Sequence, residues 1–171
     1  MNRISLSAII LLAILPVGLS SCMKEVHHIM QCHYYTEISV YNATGHEIVI
    51  SDIDACISSS RVKDQIELAY APETTIAPNS RANIIIAKGS SEGDSFFIDD
   101  IDITKATITS GNGVSVCHMQ KNKFEFEPAD NNICNWESFK MDGNRNCEEN
   151  NCYYDYSAIY TVTENDFAGN I

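Results

Sequence analysis

Tyr34-Tyr35-Thr36-Glu37-Ile38-Ser39-Val40-Tyr41 alternates with a period of two. Thr36, Ile38 and Val40 fall on one side and Glu37 and Ser39 on the other, the pattern of a strand with one face in a core and one in water. Asn42-Ala43-Thr44-Gly45 then brings turn-forming residues, and His46-Glu47-Ile48-Val49-Ile50 supplies a second apolar run. The three pieces together predict a β-hairpin at the start of a β-sheet domain.

The same rhythm continues outward from this stretch. Between Lys63 and Tyr70, Ile66 and Leu68 share a face, and Ala77-Pro78-Asn79-Ser80 makes a turn into Ala82-Asn83-Ile84-Ile85-Ile86-Ala87. That continuous apolar run predicts a strand covered on both sides or near the centre of a sheet. Residues 95–103 carry Phe96, Phe97, Ile98, Ile101 and Ile103 and predict one irregular strand or two short ones. Ser110-Gly111-Asn112-Gly113 separates two short runs as a hairpin turn would. Phe124-Glu125-Phe126-Glu127 alternates and stops at Pro128.

Residues 128–151 break the rhythm: seven asparagines and the only tryptophan, Trp136, lie there, and an irregular excursion is expected. Tyr154, Tyr156, Ala158, Tyr160 and Val162 then restore alternation through a long last strand, and Thr163-Glu164-Asn165-Asp166 resembles the capped start of a final helical turn. No segment carries an apolar helical stripe. Short strands separated by turn signals predict an all-β fold, an antiparallel β-sandwich of immunoglobulin-like or related type, with a small β-barrel as the alternative.

At the other end of the chain, Arg3 precedes an apolar run from Ile4 to Leu19, interrupted by Pro16 and Gly18 and short for a membrane-spanning helix. It has the form of a signal peptide. Leu19-Ser20-Ser21 runs directly into Cys22, which resembles the lipobox of bacterial lipoproteins. The resemblance implies cleavage before Cys22 and a diacylglyceryl thioether on its sulfur, with acylation of the new amino terminus; several acyl chains exceed what lasting membrane attachment requires. Residues 1–21 are then signal peptide and, because residues 23–31 carry little periodicity, 22–31 read as a lipidated tether and 32–171 as one β-sandwich domain. Met23 stands where inner-membrane retention would typically place Asp, so the outer membrane is expected, on its periplasmic face or at the cell surface.

Without residues 1–21 the chain has 150 residues, the size of one domain. It then carries 10 basic and 23 acidic residues, a net charge of −13, because Arg3 is the only charge removed. That balance makes nucleic acid and anionic lipid headgroups poor partners. Setting Cys22 aside leaves Cys32, Cys56, Cys117, Cys134, Cys147 and Cys152 as disulfide candidates in an exported chain. Six cysteines permit fifteen complete pairings; only Cys147 with Cys152, with four residues between them, is locally favoured.

Catalytic signatures are few. His-Glu-x-x-His is absent, and the letters Gly-x-Ser-x-Gly occur only at Gly89-Ser90-Ser91-Glu92-Gly93, in a stretch that reads as a loop and not as the strand-to-helix elbow that motif needs. Cys117 and His118 are adjacent, but neighbours on a strand point to opposite faces and cannot act as nucleophile and base. His27, His28, Cys32 and His33 fit no established zinc spacing. Asp142, Asn144, Asn146 and Glu148 resemble half a calcium loop, without the glycine or the terminal acid it needs. Neither metal nor cofactor is expected. Asn42-Ala43-Thr44 matches a glycosylation acceptor but is more simply a turn.

The remaining candidates are aromatic. Tyr34, Tyr35, Tyr41, Tyr153, Tyr154, Tyr156 and Tyr160 with Trp136 supply either packing or a contact platform, since large rigid rings contribute area at low entropic cost. Trp136, Tyr154, Tyr156 and Tyr160 are the binding candidates. Taken whole, the sequence resembles small bacterial cell-envelope lipoproteins with a β-sandwich-like domain. That resemblance implies a non-enzymatic module binding protein or glycan; an accessory enzyme or enzyme inhibitor, and a purely structural envelope protein, are the alternatives.

Overall fold

The computed structural model describes residues 30–60, 65–92, 96, 98–120 and 131–168. The signal peptide, Cys22, most of the tether with His27 and His28, and the Phe124–Glu127 alternation lie outside them. Among the described residues nine strands form two sheets: β1 (Gln31–Asn42), β2 (Ile48–Ile57), β3 (Ile66–Tyr70), β4 (Glu73–Ile76), β5 (Arg81–Glu92), β6 (Ile101–Ser110), β7 (Ser115–Met119), β8 (Phe139–Glu148) and β9 (Asn151–Val162). One sheet has the order β3-β5-β1-β9-β8 and the other β4-β2-β6-β7. The fold is an all-β sandwich with only short 3-10 turns besides the strands.

The core lies between the sheets. Ile38, Val40, Ile85, Ala158 and Tyr160 enter it from the five-stranded sheet, and Ile48, Ile50, Ile101 and Ile108 from the four-stranded one. Each is fully buried, as period-two alternation demands of the inward set.

The stretch around Asn42 departs from the hairpin expectation. β1 pairs with β5 and β9, whereas β2 pairs with β4 and β6, so residues 43–47 carry the chain from one sheet to the other. Asn42 makes this corner. Its side-chain nitrogen donates to the carbonyls of His46 (2.7 Å) and Ile76 (2.9 Å), and its side-chain oxygen accepts from the backbone N–H (2.9 Å) and hydroxyl (2.7 Å) of Thr44. A buried amide with its donors and acceptor engaged is stabilising where a half-satisfied one would be costly. Buried and fully engaged, Asn42 is also unsuited to be a glycan acceptor.

The sheet is not wholly antiparallel either. β1 and β9 run parallel over twelve register pairs from Gln31↔Asn151 to Asn42↔Val162, so the first and last strands form the middle of the sheet. The apolar run in β5 has a local cause. Ile38 pairs with Ile85 but Ser39 with Asn83, leaving Ile84 as the extra residue of a β-bulge, so that Ile84 and Ile85 are both buried. The run marks a bulge in a strand that lies inside the sheet, between β3 and β1, which agrees with the second of the two expectations.

Other expectations hold. β6 and β7 form the hairpin across residues 110–113, with Thr109 opposite Ser115. Thr163 starts a 3-10 turn over Glu164–Phe167, its N–H and hydroxyl both donating to the Asp166 carboxylate at 2.6 and 3.0 Å.

Candidate functional site

The parity of β1 and β9 divides the aromatic candidates. Even-numbered residues Tyr34, Tyr154 and Tyr160 point into the sandwich and are buried; Tyr34 and Tyr154 stack at 5.2 Å between centroids. The Tyr160 hydroxyl donates to the Asn131 carbonyl at 3.2 Å, and burial raises its pKa far above the ordinary tyrosine value. Tyr154 and Tyr160 are therefore core residues, correcting their place among the binding candidates. Tyr156 is half-buried and lies across Gly143 of the neighbouring strand, where an added Cβ would come within 2.5 Å of the ring.

Trp136 is corrected as well. Its indole N–H donates to the Ile101 carbonyl at 2.9 Å and its ring packs on Phe139 at 4.8 Å. It fastens the segment before β8 to the core instead of standing free in a loop. β8 itself, Phe139–Glu148, occupies ten residues of the stretch expected to be irregular.

Odd-numbered residues of the same two strands face outward. His33 of β1 and Tyr153 of β9 occupy one register row and stack at 4.9 Å with 16° between planes. The next row brings Tyr35 beside Asp155, and the one after it Glu37 beside Ser157. β8 extends these rows with Asn144 opposite Asp155 and Asp142 opposite Ser157. Tyr35 and Tyr153 are 41% and 53% exposed, so their rings meet water and not core.

These rows border an open groove of 330 Å³ lined by Glu37, Arg81, Asp142, Asn144, Asp155 and Ser157. Arg81 reaches Glu37 at 3.8 Å, and the Tyr35 hydroxyl donates to the other Glu37 oxygen at 2.8 Å. That hydrogen bond raises the Tyr35 pKa, with a little burial and the Glu37 and Asp155 charges adding to it. The groove combines three carboxylates, one amide, one hydroxyl and one guanidinium, and with the exposed rings of the bordering rows it suits hydrogen bonding to a neutral polyhydroxylated ligand.

The other chemical candidates come apart. Cys117 is exposed and His118 buried, as strand parity requires. His118 accepts from the Ile133 N–H at 3.4 Å through Nδ1, and burial lowers its pKa. Burial pushes the Cys134 thiol up to about 12, with the nearby Cys117 adding to it, so it is protonated and a poor ligand at neutral pH. Asp142, Asn144, Asn146 and Glu148 lie along one face of an extended strand, spaced roughly 7 Å apart along it; they do not converge as a calcium loop does. Among the described residues no group of three His, Cys, Asp or Glu side chains is arranged to hold a metal.

One disulfide joins Cys147 to Cys152. Cys32, Cys56, Cys117 and Cys134 are free thiols, which corrects the expectation of a fully paired set. Cys56 and Cys117 sit opposite Asp102 and Thr107 of β6, roughly 17 Å apart along the strand, beyond the reach of a disulfide.

No protein-family model matches the chain, and no curated protein matches it either.

Proposed function

We propose that this protein is a non-enzymatic cell-envelope module that binds glycan on the outer face of its five-stranded sheet, held at the outer membrane by lipid on Cys22. The observation that carries the binding reading is the outward row of His33, Tyr35 and Tyr153 beside a groove lined by Glu37, Arg81, Asn144 and Asp155. His33 and Tyr153 stack on each other and Tyr35 bonds to Glu37 at the surface, and rings held in water in this way favour binding as the account of their position, because burial would be the favourable fate of such apolar area. The groove volume falls at the lower end of the range for small-ligand sites, appropriate to one or two sugar rings. The signal-peptide-like run ending in Leu19-Ser20-Ser21-Cys22 supports the anchoring half of the reading.

A glycan array probed with the full-length protein tests this. Binding to a defined set of neutral glycans is expected, with Tyr153→Ala and Tyr35→Ala each weakening it by about tenfold, roughly the contribution of one stacked ring. No glycan bound above background, or binding by both variants equal to that of the wild type, overturns it. The anchor is tested separately by mass spectrometry of the amino-terminal peptide from bacterial membranes: an unmodified Cys22 overturns that half alone.

A further inference from the structure

Three cysteines stand in a single row across three adjacent strands. Cys32 of β1 is the register partner of Cys152 of β9, which is in turn the partner of Cys147 of β8. Cys152 sits in the middle, joined to Cys147 by the disulfide and flanked on its other side by the free Cys32 thiol. Register partners in adjacent strands lie roughly 5 Å apart, within the Cα separation a disulfide accepts. Cys32 and Cys152 are 3% and 1% exposed, so both side chains enter the same end of the core.

Thiol–disulfide exchange requires an attacking sulfur, a central sulfur and a leaving sulfur close to one line. A row of three strands supplies that order: Cys32 attacks, Cys152 is central, Cys147 leaves. The leaving end is also prepared. Arg145 Nε lies 3.2 Å from Cys147 Sγ, and its guanidinium stacks over the Tyr154 ring at 5.4 Å. A cationic donor at the departing sulfur stabilises the thiolate that forms there and speeds its departure. Cys147 lies on an exposed strand, so the thiolate emerges in water.

We propose that Cys32, Cys152 and Cys147 form an internal disulfide-exchange site that reversibly presents Cys147 as an accessible thiol for reaction with external disulfides or electrophiles. In the step, Cys32 gives up its proton and its sulfur bonds to Cys152; the Cys152–Cys147 bond breaks with its electron pair passing to Cys147, which is protonated by solvent. One thiol and one disulfide are present before and after, so no oxidant or reductant is consumed. The exchanged form ties β1 to β9 and releases the covalent closure of the β8–β9 hairpin.

The test uses the purified full-length protein in mildly alkaline buffer without reductant. It is incubated with a maleimide, quenched in acid, digested and read by mass spectrometry. Cys147 is expected to acquire the maleimide at the rate at which a Cys32–Cys152 linked peptide accumulates. Cys32→Ser is expected to slow Cys147 labelling at least about tenfold, and Arg145→Ala to slow it by a smaller factor. Cys147→Ser, which keeps both reacting partners should Cys32→Ser misfold, is expected to join Cys32 to Cys152 on exposure to oxidised glutathione. Equal Cys147 labelling in wild type and Cys32→Ser overturns the proposal, as does a Cys147→Ser protein in which Cys32 and Cys152 both remain alkylatable after oxidation.

Discussion

β8 and β9 are neighbours in one sheet, joined by a two-residue turn and paired over ten positions from Phe139↔Tyr160 to Glu148↔Asn151, yet they are held in opposite ways. β9 alternates buried and exposed residues and lies between β1 and β8. β8 is exposed at every residue after Phe139 and forms the sheet edge. Its attachment is local: the Cys147–Cys152 disulfide at one end, Phe139 against Trp136 and Tyr160 at the other, and Tyr156 across Gly143 between them. Asp142 also accepts the Gly143 N–H at 2.9 Å, occupying a backbone donor with a carboxylate, a way of blunting an edge against pairing with other chains. A central strand is stabilised by what it buries; an edge strand can be stabilised by a few fastenings.

Substitutions in the two strands sharpen this contrast. Tyr160→Ala in β9 removes a fully buried ring whose hydroxyl is bonded, and is expected to cost about 3–5 kcal/mol in urea denaturation, with cooperative loss of the whole fold. Cys147→Ser in β8 opens a very small covalent loop and is expected to cost about 2 kcal/mol on the chain-entropy estimate. A loss from Cys147→Ser as large as that from Tyr160→Ala would break the distinction between core and fastening.

Gly143→Ala drives a methyl against the half-buried Tyr156 ring. A cost of about 1 kcal/mol is expected, with faster amide exchange along β8 and unchanged protection in β1 and β9. Accelerated exchange in β1 would show that β8 is not a separable edge.

The last test concerns the far end of β9, where His118 packs edge-on against Tyr160 at 6.1 Å. Burial lowers the His118 pKa below its ordinary 6.5, opposed in part by Asn132 and Asp166. The unfolded chain therefore binds a proton at higher pH than the folded one. Stability from this group is complete above the unfolded value and falls as pH drops through the folded value, because stability rises with pH wherever the unfolded state holds more protons. Urea midpoints are expected to decline on acidification from about pH 7.5 to about pH 5, and less steeply in His118→Gln; parallel declines would remove His118 as the cause.

The same contrast explains what could be read from the chain. β1 and β9 were legible because a half-buried strand writes its two faces as alternation. β8 was not, since a strand with nearly all its side chains in water has no apolar face to declare, and its asparagines, glycine and charges resemble a loop. Among the candidate site residues, Tyr35 and Tyr153 were visible as tyrosines, but the groove they border was not. Their neighbours Glu37, Asp142, Asn144 and Asp155 come from distant parts of the chain and meet only through the register of β1, β9 and β8.

By itself, then, the sequence determined that the chain forms strands around one core, which side of β1 faces inward, that β9 alternates, and that Cys147 lies within reach of Cys152. Tertiary structure alone decided that β1 and β9 run parallel at the centre of a sheet, that Asn42 turns a corner between sheets, and that Cys32 stands beside Cys152. The physical reason is that alternation records burial, a property each strand carries in its own side chains. Strand partnership is made by backbone N–H and C=O groups, which are the same in every strand, so only the assembled core selects among them.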